Sequence, residues 1–129
     1  LANSSIQFNI SHSGDYVIAG ISNHPIGVDV QMVKRDKKHL ELLDYVFNSD
    51  EKTEFTRNPN KRMFFYQIWT LKESYMKCIG KGLSMGMTSI NISSPELKGY
   101  FFKLFNLKNH QFAVCNKDEP VENIKEFKL

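Results

Sequence analysis

Residues 59–79, P-N-K-R-M-F-F-Y-Q-I-W-T-L-K-E-S-Y-M-K-C-I, constrain this chain most, because they carry an unbroken helical pattern that ends at Gly80 and Gly82. Pro59 suits the first turn of a helix, where its missing N–H costs nothing, and glycine suits the left-handed residue that closes one. Phe64, Ile68, Leu71, Tyr75 and Ile79 recur at i, i+4, i+7, i+11 and i+15 and predict a buried stripe. Phe65, Trp69, Glu73 and Lys77 follow at four-residue spacing on the neighbouring stripe. Such a helix needs an apolar surface to lie on, so the remaining residues must supply one.

The remainder reads mostly as short strands. Residues 6–10 form the first, ended by a polar turn S-H-S-G (11–14), and residues 16–22 the second, with N-H-P (23–25) turning into a third over 26–32. In that third strand Ile26, Val28 and Val30 alternate with Gly27, Asp29 and Gln31, which sets Asp29 and Gln31 on one face. Leu40, Leu43 and Phe47 predict a helix over 39–46. Asn48 or Ser49 then caps a short helix with Asp50, Glu51 and Glu54 near its positive end. Strands follow over 88–92, 99–107 and 111–116, with Asn109 and His110 at a hairpin turn. The expected fold is α+β, an antiparallel sheet packed against a long helix and short helices. At 129 residues, the chain is expected to be one domain, 1–129.

Composition narrows the classes. Apolar residues at 41% and charged residues at 24% suit a globular protein with a packed core. No apolar run approaches the roughly 20 residues that span a bilayer, and the first ten residues lack a signal-peptide pattern, so a cytoplasmic protein without a membrane partner is expected. Cys78 and Cys115 are too few for a disulfide framework and too far apart for a C-x-x-C metal pair, which predicts reduced, structural thiols. A net charge of +3 favours anionic partners without choosing among them.

Two carboxylates from different elements, Asp29 on a strand and Glu73 on the long helix, suit Mg²⁺, which keeps water and phosphate oxygens in its other positions. Taken singly, each also reads as a solvated surface group, Glu73 pairing with Lys77 for ~0.2–0.5 kcal/mol. Lys72, Lys77 and Lys81, with Gly80 and Gly82, make a basic helix end suited to a phosphate-rich ligand, although lysines favour helix C-termini in any case. His12 between Ser11 and Ser13 offers imidazole, hydroxyl and amide groups to a phosphate, as an ordinary turn also would. P-loops, GxSxG elbows and zinc spacings are absent. Phe64, Phe65, Tyr66 and Trp69 would serve a basic nucleic-acid-binding module by stacking, but their helical spacing favours the core.

In order along the chain stand N-I-S-H-S-G (9–14), G-V-D-V (27–30), F-N-S-D-E (47–51) and W-T-L-K-E-S-Y-M-K-C-I-G-K-G-L (69–83). Together these motifs resemble the Sfp-type 4′-phosphopantetheinyl transferases, in which the S-H-S segment precedes the aspartate. The resemblance implies Mg-dependent transfer of the 4′-phosphopantetheine arm of coenzyme A to a serine of an acyl or peptidyl carrier protein. It implies Mg²⁺ ligation by Asp29 and Glu73, with Gln31 standing where many members carry an acid. Glu73 would take the serine proton. Lys72, counted with Glu73 as catalytic, would hold the pyrophosphate together with Lys77; Ser11 and His12 would contact coenzyme A phosphates, and Glu51 would support the site. Sfp-type enzymes comprise two similar halves, and this chain corresponds to the later half plus the joining segment. A missing N-terminal half or a second chain is therefore an implied partner. A truncated, inactive carrier-protein-binding domain is the alternative within the family, and the nucleic-acid module the alternative outside it.

Overall fold

A glycine in an otherwise alternating strand marks a place where another backbone comes close. Strand β3 (Ile26–Met32) has one at Gly27, where a Cβ would run into the Ser74 carbonyl oxygen and the Cys78 backbone nitrogen of the long helix. The computed structural model, which describes residues 6–80, 86–93 and 97–128, builds its layers around this contact. A hairpin of β1 (Gln7–Ser13) and β2 (Tyr16–Ser22) comes first, in register from Gln7 opposite Ser22 to Ser13 opposite Tyr16. β3 forms a separate antiparallel sheet with β4 (Tyr100–Leu107) and β5 (His110–Lys117), in the order β3-β5-β4. A 3-10 turn (Lys38–Leu42), α1 (Leu43–Val46), α2 (Ser49–Arg57) and α3 (Lys61–Ile79) lie between β3 and β4. The fold is thus α+β, as expected, with α3 on one face of the three-stranded sheet.

Alternation divides the core. Gly27 and Asp29 face α3, while Ile26, Val28 and Val114 pack with Ile18, Phe105 and Val121 on the opposite face. Ile68, Leu71 and Tyr75 of the predicted stripe are buried, and Phe64 and Ile79 only half-buried. α3 buries more than one stripe because it touches β3 and β5 on one side and α1 and α2 on the other, so Phe65, Tyr66, Met76 and Cys78 are enclosed as well. The rings proposed for stacking contact one another: Phe65 lies 5.5 Å from both Tyr66 and Trp69. They belong to the core or pack against it, which removes the stacking platform of the nucleic-acid reading.

Several boundaries differ from expectation for local reasons. α3 starts at Lys61, because Asn60 caps it by accepting from the Met63 N–H at 3.3 Å, leaving Pro59 outside. It ends at Ile79 with Gly80 at φ 74°; Lys81, Gly82 and Leu83 lie outside the described residues. The 39–46 helix is a 3-10 turn followed by one α-turn, with Leu40 exposed and Val46 and Phe47 buried. Asn48 and Glu51 form a capping box for α2. The strand predicted over 88–92 is replaced by a 3-10 turn (Met87–Ser89), whose three-residue spacing buries Met87 and Ile90 together. The β4–β5 turn is Lys108 and Asn109, both with positive φ, and His110 already belongs to β5. S-H-S is strand: β1 runs through Ser13, and Gly14, at φ 54°, makes the turn against His110.

Candidate functional site

Because Asp29 follows Gly27 on the same face, it is carried to where α3 lies closest, beside Glu73 and Lys77, the residues preceding Ser74 and Cys78. Asp29 is 4% exposed. Its Oδ1 accepts from the Ser11 hydroxyl at 3.1 Å and its Oδ2 from the Gln31 amide at 3.3 Å. Lys77 Nζ donates to the carbonyls of Ile10 at 2.9 Å and Val28 at 2.8 Å. The expected Glu73–Lys77 surface ion pair is absent among the described residues, since Lys77 is drawn to these carbonyls instead.

The site is short of positive charge. Burial pushes the Asp29 carboxyl up to about 7; the Gln31 and Ser11 hydrogen bonds and Lys77 oppose the rise, while Glu73 adds to it. Burial also raises Glu73, with Lys77 opposing, and lowers Lys77, with Asp29 and Glu73 opposing. One ammonium, already engaged with two carbonyls, serves two carboxylates. A divalent cation would supply what is lacking. Among the described residues no group of three or more His, Cys, Asp or Glu gathers. Two carboxylates and the Gln31 amide are instead the sparse oxygen set that fits Mg²⁺ retaining water and phosphate ligands.

This charge shortage makes stability depend on pH. With the folded Asp29 near 7 and an ordinary value of 3.8, the folded state holds the extra proton between these values. Stability contributed here therefore falls as pH rises from about 4 to about 7, the reverse of an ion-paired aspartate. At pH 8 without divalent cations, Asp29→Asn is expected to be more stable than wild type, by up to roughly 4 kcal/mol at about 1.4 kcal/mol per unit. The gap closes toward pH 4. Denaturant melts at the two pH values check this, and added Mg²⁺ should narrow the gap at pH 8.

Lys72 departs from expectation. Its ammonium is fully buried and spends its three donors on Glu51 Oε1 at 2.5 Å, Val46 O at 2.7 Å and Met87 O at 3.0 Å. No donor remains for a pyrophosphate, so Lys72 ties α3 to α1, α2 and the Met87 turn. Glu51 both closes the capping box and balances Lys72. Ser11 and His12 also separate, because successive strand residues face opposite ways: Ser11 turns to Asp29 and His12 stands on the exposed side opposite Val17. That exposed side carries Phe8, Ile10, Val17 and Ile21, each more than half exposed. A cleft of about 620 Å³, lined by Ile18, Val28, Phe112 and the chain after Glu119, lies on the sheet face away from the carboxylates. Gly27, the residue that sets the site's geometry, is legible in the sequence as a glycine interrupting an alternating strand, but the alternation by itself assigns it no role.

Comparison with known proteins bears on the family of the chain as a whole. The sequence model of the 4′-phosphopantetheinyl transferase superfamily matches residues 25–125. The 4′-phosphopantetheinyl transferase psf-1 of Bacillus pumilus is 34% identical over 94 residues, covering 71% of this chain and 40% of that protein. The 4′-phosphopantetheinyl transferase gsp of Aneurinibacillus migulanus is 32% identical over 118 residues, covering 90% and 44%. This chain thus spans less than half the length of these relatives. The holo-[acyl-carrier-protein] synthase of Thermotoga maritima has a similar fold, with a TM-score of 0.59 at 20% identity over 74% of this chain and 63% of that one. That of Neisseria meningitidis aligns with a TM-score of 0.56 at 13% identity over 74% and 98%.

Proposed function

Because this chain belongs to the 4′-phosphopantetheinyl transferase superfamily, we propose that it forms the magnesium- and coenzyme A-binding part of an enzyme that loads a carrier protein. The observation that carries this reading is the convergence of Asp29, Gln31, Glu73 and Lys77 at the close approach of β3 and α3. The reaction joins the oxygen of a carrier serine to the phosphorus bearing the pantetheine arm. The bond from that phosphorus to its bridging oxygen breaks, and adenosine 3′,5′-bisphosphate leaves. Asp29, Glu73 and the Gln31 amide oxygen would hold Mg²⁺, which neutralises the charge developing on the leaving phosphate. Glu73, whose carboxyl burial makes more basic than an exposed glutamate, is suited to receive the serine proton. Lys77 holds the carbonyls of β1 and β3 together beside it. No helix among the described residues is long and apolar enough to cross a membrane, and we place the reaction in the cytoplasm.

The apolar side of the β1–β2 hairpin favours completion of the site by another polypeptide surface. Phe8, Ile10, Val17 and Ile21 leave a patch that soluble monomers rarely expose, and the match covers less than half of each relative. We assign this side to a segment equivalent to the rest of their length.

The test is to incubate the protein with coenzyme A, Mg²⁺ and several apo carrier proteins, and to look for the added arm by mass spectrometry. If the chain alone gives no transfer, calorimetric binding of coenzyme A with Mg²⁺ tests the same residues. Binding of a carrier protein with neither result would select an inactive carrier-binding domain. Gln31→Glu adds a charged oxygen beside Asp29, so half-maximal activity is expected at a lower Mg²⁺ concentration. Superimposable Mg²⁺ titrations of the two proteins would remove Gln31 from the metal site.

A further inference from the structure

β3 pairs with β5 on one edge only, which leaves the N–H groups of Val28, Val30 and Met32 pointing outward from the other. Unpaired edge donors are costly when buried and a liability when exposed. Here alternate side chains of β1 take them up one at a time. Val28 N–H donates to Asn9 Oδ1 at 2.9 Å, Val30 N–H to Ser11 Oγ at 3.4 Å, and Met32 N–H to Ser13 Oγ at 2.8 Å. The N-x-S-x-S spacing of two therefore replaces the backbone of a neighbouring strand, and Lys77 joins the same two strands through Ile10 O and Val28 O. Ser11 differs from the other two. A hydroxyl has one proton to give and two lone pairs to receive with, so while Ser11 Oγ accepts from Val30 it also donates to Asp29 Oδ1 at 3.1 Å.

We infer that Ser11 is a positioning residue of this site: anchored on the β3 backbone, its hydroxyl holds the Asp29 carboxylate in one orientation, while Asn9 and Ser13 only seat the hairpin. This rests on the proposed magnesium site for its consequence, though not for its geometry. It gives the serine of the S-H-S segment a task on the protein's own aspartate, where contact with a coenzyme A phosphate was expected.

The test compares Ser11→Ala, Ser11→Thr, Asn9→Ala and Ser13→Ala in the isotope-labelled chain. Amide exchange should quicken at Val28 only in Asn9→Ala, at Val30 only in Ser11→Ala, and at Met32 only in Ser13→Ala. Three-bond couplings should report one Asp29 side-chain rotamer in wild type, Ser11→Thr, Asn9→Ala and Ser13→Ala, and averaging in Ser11→Ala. Mn²⁺ binding in the presence of coenzyme A, followed by electron paramagnetic resonance, should weaken about tenfold in Ser11→Ala and recover in Ser11→Thr. A single Asp29 rotamer in Ser11→Ala, or an averaging one in wild type, overturns the inference. Ser11→Cys, a weaker donor of similar size, answers the same question if Ser11→Ala does not fold. If wild type binds no Mn²⁺, the functional reading fails while the couplings still decide this one.

Discussion

Glu73→Gln is expected to lower transfer of the arm by roughly 10²–10⁴-fold, the range of a lost general base, while melting no lower than wild type at pH 8. The two halves of that expectation have one cause. Burial already disfavours the Glu73 charge, with Lys77 only partly offsetting it, so an uncharged isostere costs the fold nothing. The proposed chemistry, by contrast, would lose both a proton acceptor and a charged oxygen for the metal. Wild-type transfer rates in Glu73→Gln, read by mass spectrometry against time, would remove Glu73 from both roles.

Lys72→Met should do the reverse, damaging stability before chemistry. Its ammonium is fully buried and bonded to Glu51, Val46 and Met87, and removing it leaves the Glu51 carboxylate buried without its partner. Breaking one side of a buried ion pair costs about 3–5 kcal/mol, which for a chain of this size lowers the melting temperature by roughly 10–20 °C. Lys72→Met combined with Glu51→Gln should recover part of the loss, since no uncompensated charge then remains. Thermal melts followed by circular dichroism compare the three proteins. A Lys72→Met protein that melts with wild type and loses only transfer would return Lys72 to the pyrophosphate.

Features that depend on near neighbours in the chain are legible in the sequence. The end of α3 follows from the left-handed freedom of Gly80, and the start of α2 from the capping geometry of Asn48 and Glu51. Asp29 and Gln31 share a face because strand side chains alternate, and they hydrogen-bond to each other there. The stretch over 88–92 misleads because its β-branched residues suit a strand, whereas burial of Met87 and Ile90 three residues apart requires a tighter turn. S-H-S looks like a turn because its residues are polar. Its serines are polar for another reason, since the free edge of β3 needs acceptors.

What the sequence determined by itself, then, is most of the strands and the two capped helices, the family motifs and the pairing of Asp29 with Glu73 as metal-binding candidates. Which lysine lies beside those two carboxylates was decided only in three dimensions. Lys72 and Glu73 are adjacent in the chain and differ by about 100° around the helix, so periodicity describes both equally well. α3 is enclosed on two sides, and the side toward α1 and α2 takes Lys72 into a cage of acceptors. The side toward the edge of β3 presents Glu73 and Lys77 beside Asp29, and that edge is near only because Gly27 lets the helix backbone touch the strand.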